Sequence, residues 1–381
     1  MRITSRIDRA INFLPKGRNR MRYMLRKGAI VWDPWLLKDG EFYRLFFLAN
    51  PKVLKPNVFG TWWSESSIYG AISTNLKNWK ILSPVLVPEP NNDLESQRLF
   101  AGSTYKEEGI YYLFYTASGT KDFYDESLGL ATSIDGINWS RCLNYQLFSN
   151  LSDRDRWYGK YECDFGDGKM VQHRHWRDPY ILRDHKTGKY YMFICAASQQ
   201  IEHSLYRGCV GLAVADNISG PYKLLPPACK PIVEGTSVSE SAFIEMERPQ
   251  VIYKNGKYHL FFSCWKHRIN PKWLKQIDSN RITNSSLYWY VADEITGPYL
   301  PNSNQPIVLG SDTTEMYGVN FFPAPNTIGG DFIACGWFYW SFTLGVSPSF
   351  RVIWTDESIE ISRNRISLST ITDYIKFQGA M

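Results

Sequence analysis

The sequence lacks any apolar run approaching the ~20 residues that a membrane-spanning helix requires, so no integral membrane segment is expected. Its N-terminus is basic but has no apolar stretch of the kind found in secretory signals. This points to a cytoplasmic protein, or to one exported without a recognisable signal peptide. Cysteine is sparse: seven are scattered along the chain, and Cys195, Cys264 and Cys335 fall inside expected strands. An odd, dispersed set favours reduced, buried thiols over a disulfide framework. No spacing among them resembles a zinc site. The net charge of +6 is also unevenly placed. Residues 1–28 hold nine Arg and Lys against Asp8 alone, which leaves the remainder slightly acidic. The body of the chain therefore has no nucleic-acid footprint.

What the sequence has in quantity is aromatic residues: 14 Trp, 24 Tyr and 21 Phe in 381 residues. Such rings fill β-rich cores and also stack on sugar faces. Ile3, Ile7, Ile11 and Leu14 share one helical face before Pro15, which predicts a short amphipathic helix and then a basic linker to Gly28. Residues 1–28 are thus expected to form an N-terminal extension, and residues 29–381 one catalytic domain.

An internal repeat begins at about Ala29. Gly40, Gly109, Gly188, Gly256 and Gly330 each lead into an aromatic strand, at spacings of 69, 79, 68 and 74 residues. Each unit has a later strand, such as Tyr69–Ser73 or Leu128–Thr132. In four units a turn with an aromatic follows: Asn78-Trp79, Asn138-Trp139, Gly220-Pro221-Tyr222 and Gly297-Pro298-Tyr299. The Asn255-Gly256 pair between two strand patterns predicts a tight hairpin. Five like units of about four strands predict an all-β fold, a five-bladed β-propeller with long connecting loops. The insertion at 150–172 is expected to rim the site.

Three carboxylates precede their glycines at similar distances, Asp33 by seven residues, Asp178 by ten and Glu247 by nine. That phase places all three on the first strands of blades one, three and four, around one channel. A single Asp before Pro commonly marks a turn, but turn residues have no reason to share a repeat phase. Glycosidic cleavage uses two carboxyls, one to protonate the leaving oxygen and one to attack the anomeric carbon or activate water. Glu247 is the expected proton donor, its pKa set in opposite directions by Glu245 and Arg248. Asp33, between Trp32 and Trp35, is the expected nucleophile. Asp178, beside Arg177, is expected to be held ionised and to bind sugar hydroxyls; the alternative is a structural ion pair. His173 and His175 share a strand face as polar rim residues, and no third metal ligand stands out.

The stretches Val31-Trp32-Asp33-Pro34-Trp35, Ala101-Gly102-Ser103, Trp176-Arg177-Asp178-Pro179 and Glu245-Met246-Glu247-Arg248-Pro249-Gln250 resemble the ordered motifs of the levansucrase-type fructosyltransferases, glycoside hydrolase family 68. The resemblance runs from about Val31 to Pro323. It implies a five-bladed propeller related to the invertases, with Asp33 as nucleophile, Asp178 as transition-state stabiliser and Glu247 as acid/base. It also implies substrate-binding positions at or near Trp32, Ser103, Arg177, Glu245, Arg248 and Tyr317. Three departures border the sugar pocket: Pro34 where the family has Ser, Phe100 or Ala101 where it has Trp, and the surroundings of Tyr317. The function implied is a retaining fructosyltransferase or β-fructofuranosidase acting on sucrose or a related fructoside, with no cofactor and no metal. The expected partner is a small carbohydrate, bound by a monomer. A pentosidase similar to the arabinanase/xylosidase family would use the same fold, but its glutamate usually stands in Glu-Gly-Pro rather than Glu-Arg-Pro. A non-catalytic sugar-binding propeller would need no acid at Glu247.

Overall fold

The computed structural model describes residues 30–50, 63, 65–76, 78–119, 125–142, 146–164, 170–202, 204–235, 239–324, 332–338 and 345–365. The expected helix at 1–14, the basic segment to Gly28 and the turn at Gly330 lie outside these residues.

Five antiparallel sheets follow one another along the chain, each a meander whose spatial order is its sequence order. Blade one comprises β1 (Ile30–Asp39), β2 (Phe42–Asn50), β3 (Ser67–Ser73) and β4 (Lys80–Leu86). Blade two comprises β5 (Arg98–Glu107), β6 (Ile110–Ser118), β7 (Ser127–Ser133) and β8 (Ser140–Arg141). A short helix (Ser152–Trp157) and a separate hairpin, β9 (Tyr161–Asp164) with β10 (Met170–His173), occupy the insertion between blades two and three. Blade three comprises β11 (Trp176–Arg183), β12 (Tyr190–Ala197), β13 (Gly208–Ala215) and β14 (Lys223–Cys229). Blade four comprises β15 (Glu247–Lys254), β16 (Lys257–Ser263), β17 (Leu287–Ala292) and β18 (Leu300–Pro301). Blade five comprises β19 (Met316–Pro323), β20 (Phe332–Phe338), β22 (Phe350–Trp354) and β23 (Ile359–Arg365), with β21 (Gly345–Val346) also pairing with β20. Neighbouring first strands touch all the way round, β1 with β5, β5 with β11, β11 with β15, β15 with β19 and β19 with β1. This is the five-bladed propeller that the repeat predicts.

Local sequence explains the units. Lys254 pairs with Lys257 across Asn255 and Gly256, whose φ angles are 52° and 80°. A two-residue hairpin needs positive φ at both central residues, and Asn and Gly accept it most readily. In blades one and two, Asn75 and Asp135 accept the backbone N–H of Asn78 and Asn138, closing the predicted turns before Trp79 and Trp139. The apolar core lies between blades rather than at the centre. One cluster joins Leu45, Phe47 and Tyr69 of blade one to Tyr317, Ile333 and Trp337 of blade five, so the same packing that fills the core closes the ring. Full burial of each large apolar side chain contributes about 1.5–3 kcal/mol.

The decisive local feature is an interruption of the ladder in every first strand. Pairing skips between Trp32 and Trp35, Phe100 and Gly102, Arg177 and Tyr180, Glu247 and Gln250, and Tyr317 and Asn320. In four of these bulges the first skipped residue has positive φ: Asp33 (42°), Asp178 (58°), Arg248 (55°) and Gly318 (60°). The expectation that the three carboxylates are structurally equivalent is therefore corrected. Asp33 and Asp178 are equivalent to Arg248, whereas Glu247 is equivalent to Trp32 and Arg177. Pro34, Pro179 and Pro249 each follow the bulged residue, where a missing N–H breaks no ladder bond.

Candidate active site

The bulges aim their residues at one cavity of about 350 Å³. The last paired residues before each break, Trp32, Phe100, Arg177, Glu247 and Tyr317, all line it, as do Asp33, Asp178 and Arg248 from the bulges themselves. Glu245 lies on the same wall. The structure thus brings eight of the nine residues expected from sequence to one pocket. Ser103 is the exception. Its hydroxyl donates to the Pro179 carbonyl at 2.8 Å and accepts from the Ile181 N–H at 3.2 Å, so it ties blade two to blade three outside the pocket lining. Phe100, not Ala101, faces the cavity at the second motif.

Arg177 is the centre of the acidic wall. Its guanidinium donates to Glu247 Oε1 at 2.8 Å, to Glu245 Oε2 and to Glu126. Asp178 is not among its direct partners; the Arg177–Asp178 ion pair weighed as an alternative does not form. Asp178 instead accepts the backbone N–H of Arg248 at 2.9 Å, while its own N–H donates to Thr116 Oγ1 at 2.8 Å. Arg248 is 3% exposed and its guanidinium donates to the Pro34 carbonyl at 3.0 Å and to Asn320 Oδ1 at 2.7 Å, with a longer bond to the Gly102 carbonyl. Together with its N–H to Asp178, this one residue of blade four touches the other four blades.

Glu247 also accepts the Tyr317 hydroxyl, and Tyr317 stacks on Trp265 with ring centroids 4.0 Å apart. Asp33 accepts the Trp337 indole N–H at Oδ1, 2.7 Å away. Behind the acidic wall Glu245 meets Arg268 at 3.1 Å and His175 at 3.5 Å, and His175 bonds the Tyr161 hydroxyl. Tyr161 and His173 belong to the inserted β9–β10 hairpin; His173 lines the pocket, whereas none of the described residues of 150–172 does, so the contact lies just past the stretch expected to rim the site. Among the described residues no group of three or more His, Cys, Asp or Glu has the arrangement of a metal site.

These surroundings split the carboxyls. Burial pushes Glu247 up to about 8; Glu245 adds to the rise, and Arg177 and the Tyr317 hydrogen bond oppose it. Arg177, rather than the expected Arg248, is the cation that works against Glu245 here. Burial lifts Asp33 to about 6 against the pull of Arg248, with Asp178 adding to the rise. Burial raises Asp178 too, opposed by Arg177 and Arg248, so its surroundings do not hold it as firmly ionised as its sequence neighbour suggests. Glu245 runs the other way: burial would raise it, but Arg268 and Arg177 together hold it below the usual range. Burial and Arg177 drive His173 and His175 well below theirs, so both imidazoles are neutral. The pocket thus sets Glu247 to hold its proton to higher pH than Asp33 does.

Sequence reasoning missed Glu126, Trp265, Arg268 and Trp337 as pocket residues. None stands in a recognisable motif. Glu126 sits just before β7, and Trp337 is one of many aromatics inside a strand. The Asp-Pro, Asp-Pro and Arg-Pro steps were a signal for the bulges, and with it for the offset of Glu247.

Comparison with known proteins agrees with this geometry. Residues 35–209 match the glycosyl hydrolases family 32 N-terminal domain, and residues 196–333 match the Levansucrase/Invertase family. A levansucrase of Erwinia amylovora is 30% identical over 128 residues, covering 33% of this chain and 27% of that protein. The aligned stretch thus spans about a quarter of that relative's length. A levansucrase of Bacillus subtilis is 22% identical over 347 residues, covering 75% of this chain and 68% of the relative. An inulosucrase from Halalkalicoccus jeotgali, solved bound to kestose, has the same fold, with a TM-score of 0.62 at 21% identity and coverage of 89% of this chain and 88% of that one. The levansucrase-type resemblance read from the motifs is borne out.

Proposed function

We propose that the chain is a retaining enzyme that transfers fructosyl groups from sucrose or a related fructoside through a covalent intermediate on Asp33. The observation that carries this is one pocket holding both Asp33 and Glu247, each fixed by its own hydrogen bonds, with burial and Glu245 pushing the Glu247 pKa above that of Asp33. The levansucrase relatives supply the substrate class. In the first step an Asp33 oxygen forms a bond to the anomeric carbon. The glycosidic C–O bond breaks, and the leaving oxygen takes the Glu247 proton. In the second step an acceptor hydroxyl gives its proton to the Glu247 carboxylate while its oxygen attacks the anomeric carbon, and Asp33 departs as a carboxylate. Asp178 stabilises charge on the sugar between the steps. Arg177 holds Glu247 in place together with Glu245 and Glu126, and Trp32, Phe100 and Trp265 supply apolar faces for the sugar rings.

The match of residues 35–209 to family 32 favours a second reading in which water is the acceptor and the fructoside is hydrolysed. Incubation of the purified protein with sucrose, with glucose and fructose followed separately, tests both. Glucose in excess of fructose means transfer, equal release means hydrolysis, and release of neither sinks the sucrose assignment.

A further inference from the structure

Asp33 is a first-blade residue, yet the hydrogen bond to its carboxylate comes from the last blade. Trp337, on β20, donates its indole N–H to Oδ1 at 2.7 Å. Trp337 is itself fixed: it is 3% exposed and packs edge-on against Tyr317 and Trp265. The contact is built to be close. Gly318 sits beside it with φ of 60°, and a Cβ there would stand 3.0 Å from Asp33 Oδ1 and 3.2 Å from the indole nitrogen. Among the described residues Oδ2 receives no hydrogen bond, so the two oxygens of one carboxylate are unlike.

We infer that Trp337 is the positioning residue for the nucleophile: its N–H occupies Oδ1 and leaves Oδ2 as the oxygen that attacks. This rests on the fructosyl-transfer reading above. When Oδ2 bonds to the anomeric carbon, Oδ1 becomes the ester carbonyl oxygen and still faces the indole. When the acceptor attacks, the electron pair of the breaking bond returns to Asp33. The N–H bond is stronger to the departing carboxylate than to the ester. Trp337 thereby favours ionised Asp33 before the reaction and its departure at the end. It does so only when blade five has closed on blade one, which makes the nucleophile's geometry depend on a complete ring.

The test uses W337F, which keeps an aromatic ring and removes the donor, and replacement of the same indole by its sulfur isostere benzothiophene, which keeps the shape should the phenylalanine protein fail to fold. Two readouts are taken. The pH dependence of Asp33 alkylation by a small epoxide, read on the Asp33 peptide by mass spectrometry, needs no donor sugar. Its midpoint is expected to rise from about 6 by roughly one to two pH units. With sucrose, the acidic limb of kcat/KM should move up by the same amount, and the fraction of enzyme held as covalent adduct at steady state should increase. An unchanged alkylation midpoint in either variant overturns the inference and leaves Trp337 as packing. A wild-type protein that cleaves no fructoside defeats the functional reading instead, and the alkylation midpoint still decides the role of Trp337.

Discussion

Asp33 and Glu247 titrate on opposite sides of neutrality because burial acts on both while their charged neighbours differ. Asp33 has Arg248 to restrain its rise to about 6, whereas Glu247, at about 8, has Glu245 adding to the effect of burial. The sign for activity follows. Below the first value the nucleophile is protonated, and above the second the acid has lost its proton. The pH profile of kcat/KM should therefore be a bell with limbs near 6 and near 8, reported by the pair rather than by either group alone. E247Q should lower kcat on sucrose by about 10²–10⁴-fold and flatten the alkaline limb. It should cost much less with a donor whose leaving group needs no proton. Asp178, 5% exposed, accepts the Arg248 N–H and makes no ion pair with Arg177; in the proposed mechanism it acts on the sugar. D178N should lower kcat by about 10²–10³-fold with a smaller change in KM, as for an interaction made mainly in the transition state. A comparable loss in KM alone would assign Asp178 to ground-state binding.

The element that makes these residues functional is the bulged first strand. A regular strand would alternate its side chains between two faces. The two-residue skip lets consecutive residues, Trp32 with Asp33, Arg177 with Asp178 and Glu247 with Arg248, reach the same pocket. Three non-glycine residues held at positive φ cost of order 1–3 kcal/mol each, a strain the surrounding packing must offset. The repeat of glycine-led aromatic strands was enough to read five blades and the site's three carboxylates from sequence, because hairpin chemistry is local. The offset of Glu247 was not read, because ladder register is set by pairing across strands. Trp337 went unread, and the place of Ser103 outside the pocket lining was not foreseen, for a related reason: an indole inside β20 and a hydroxyl on β5 acquire their contacts only from the blade beside them. Arg248 gives the bulge its own prediction. Its replacement by Gln should destabilise the protein by about 1–3 kcal/mol, since it leaves buried acceptors at the Pro34 carbonyl and Asn320 without their donor. Chemical denaturation would measure this, and a variant as stable as the wild type would show that the hub of hydrogen bonds contributes nothing net.

At the scale of the whole molecule, closing the ring stores protons. Glu247 and Asp33 have raised pKa values in the folded protein, so between the ordinary carboxylate range and about 8 the folded state binds more protons than the unfolded one. Their contribution to stability is therefore complete at low pH and is lost as pH rises through that window. The unfolding temperature should fall between pH 5 and pH 8, and E247Q should unfold at a higher temperature than the wild type at pH 8; equal slopes for the two proteins would show that Glu247 is not held protonated. The same ring closure brings the proposed reaction centre together, with Asp33 from the first blade, Asp178 from the third, Glu247 from the fourth and Trp337 from the fifth. The central claim is that this assembly passes the fructosyl group through Asp33. The most direct measurement is to quench the enzyme in acid during turnover of a slow fructosyl donor and examine the Asp33 peptide by mass spectrometry. A hexosyl adduct on Asp33, absent in D33N, together with a product of retained anomeric configuration, is the expected result; an inverted product with no adduct on that peptide would contradict it.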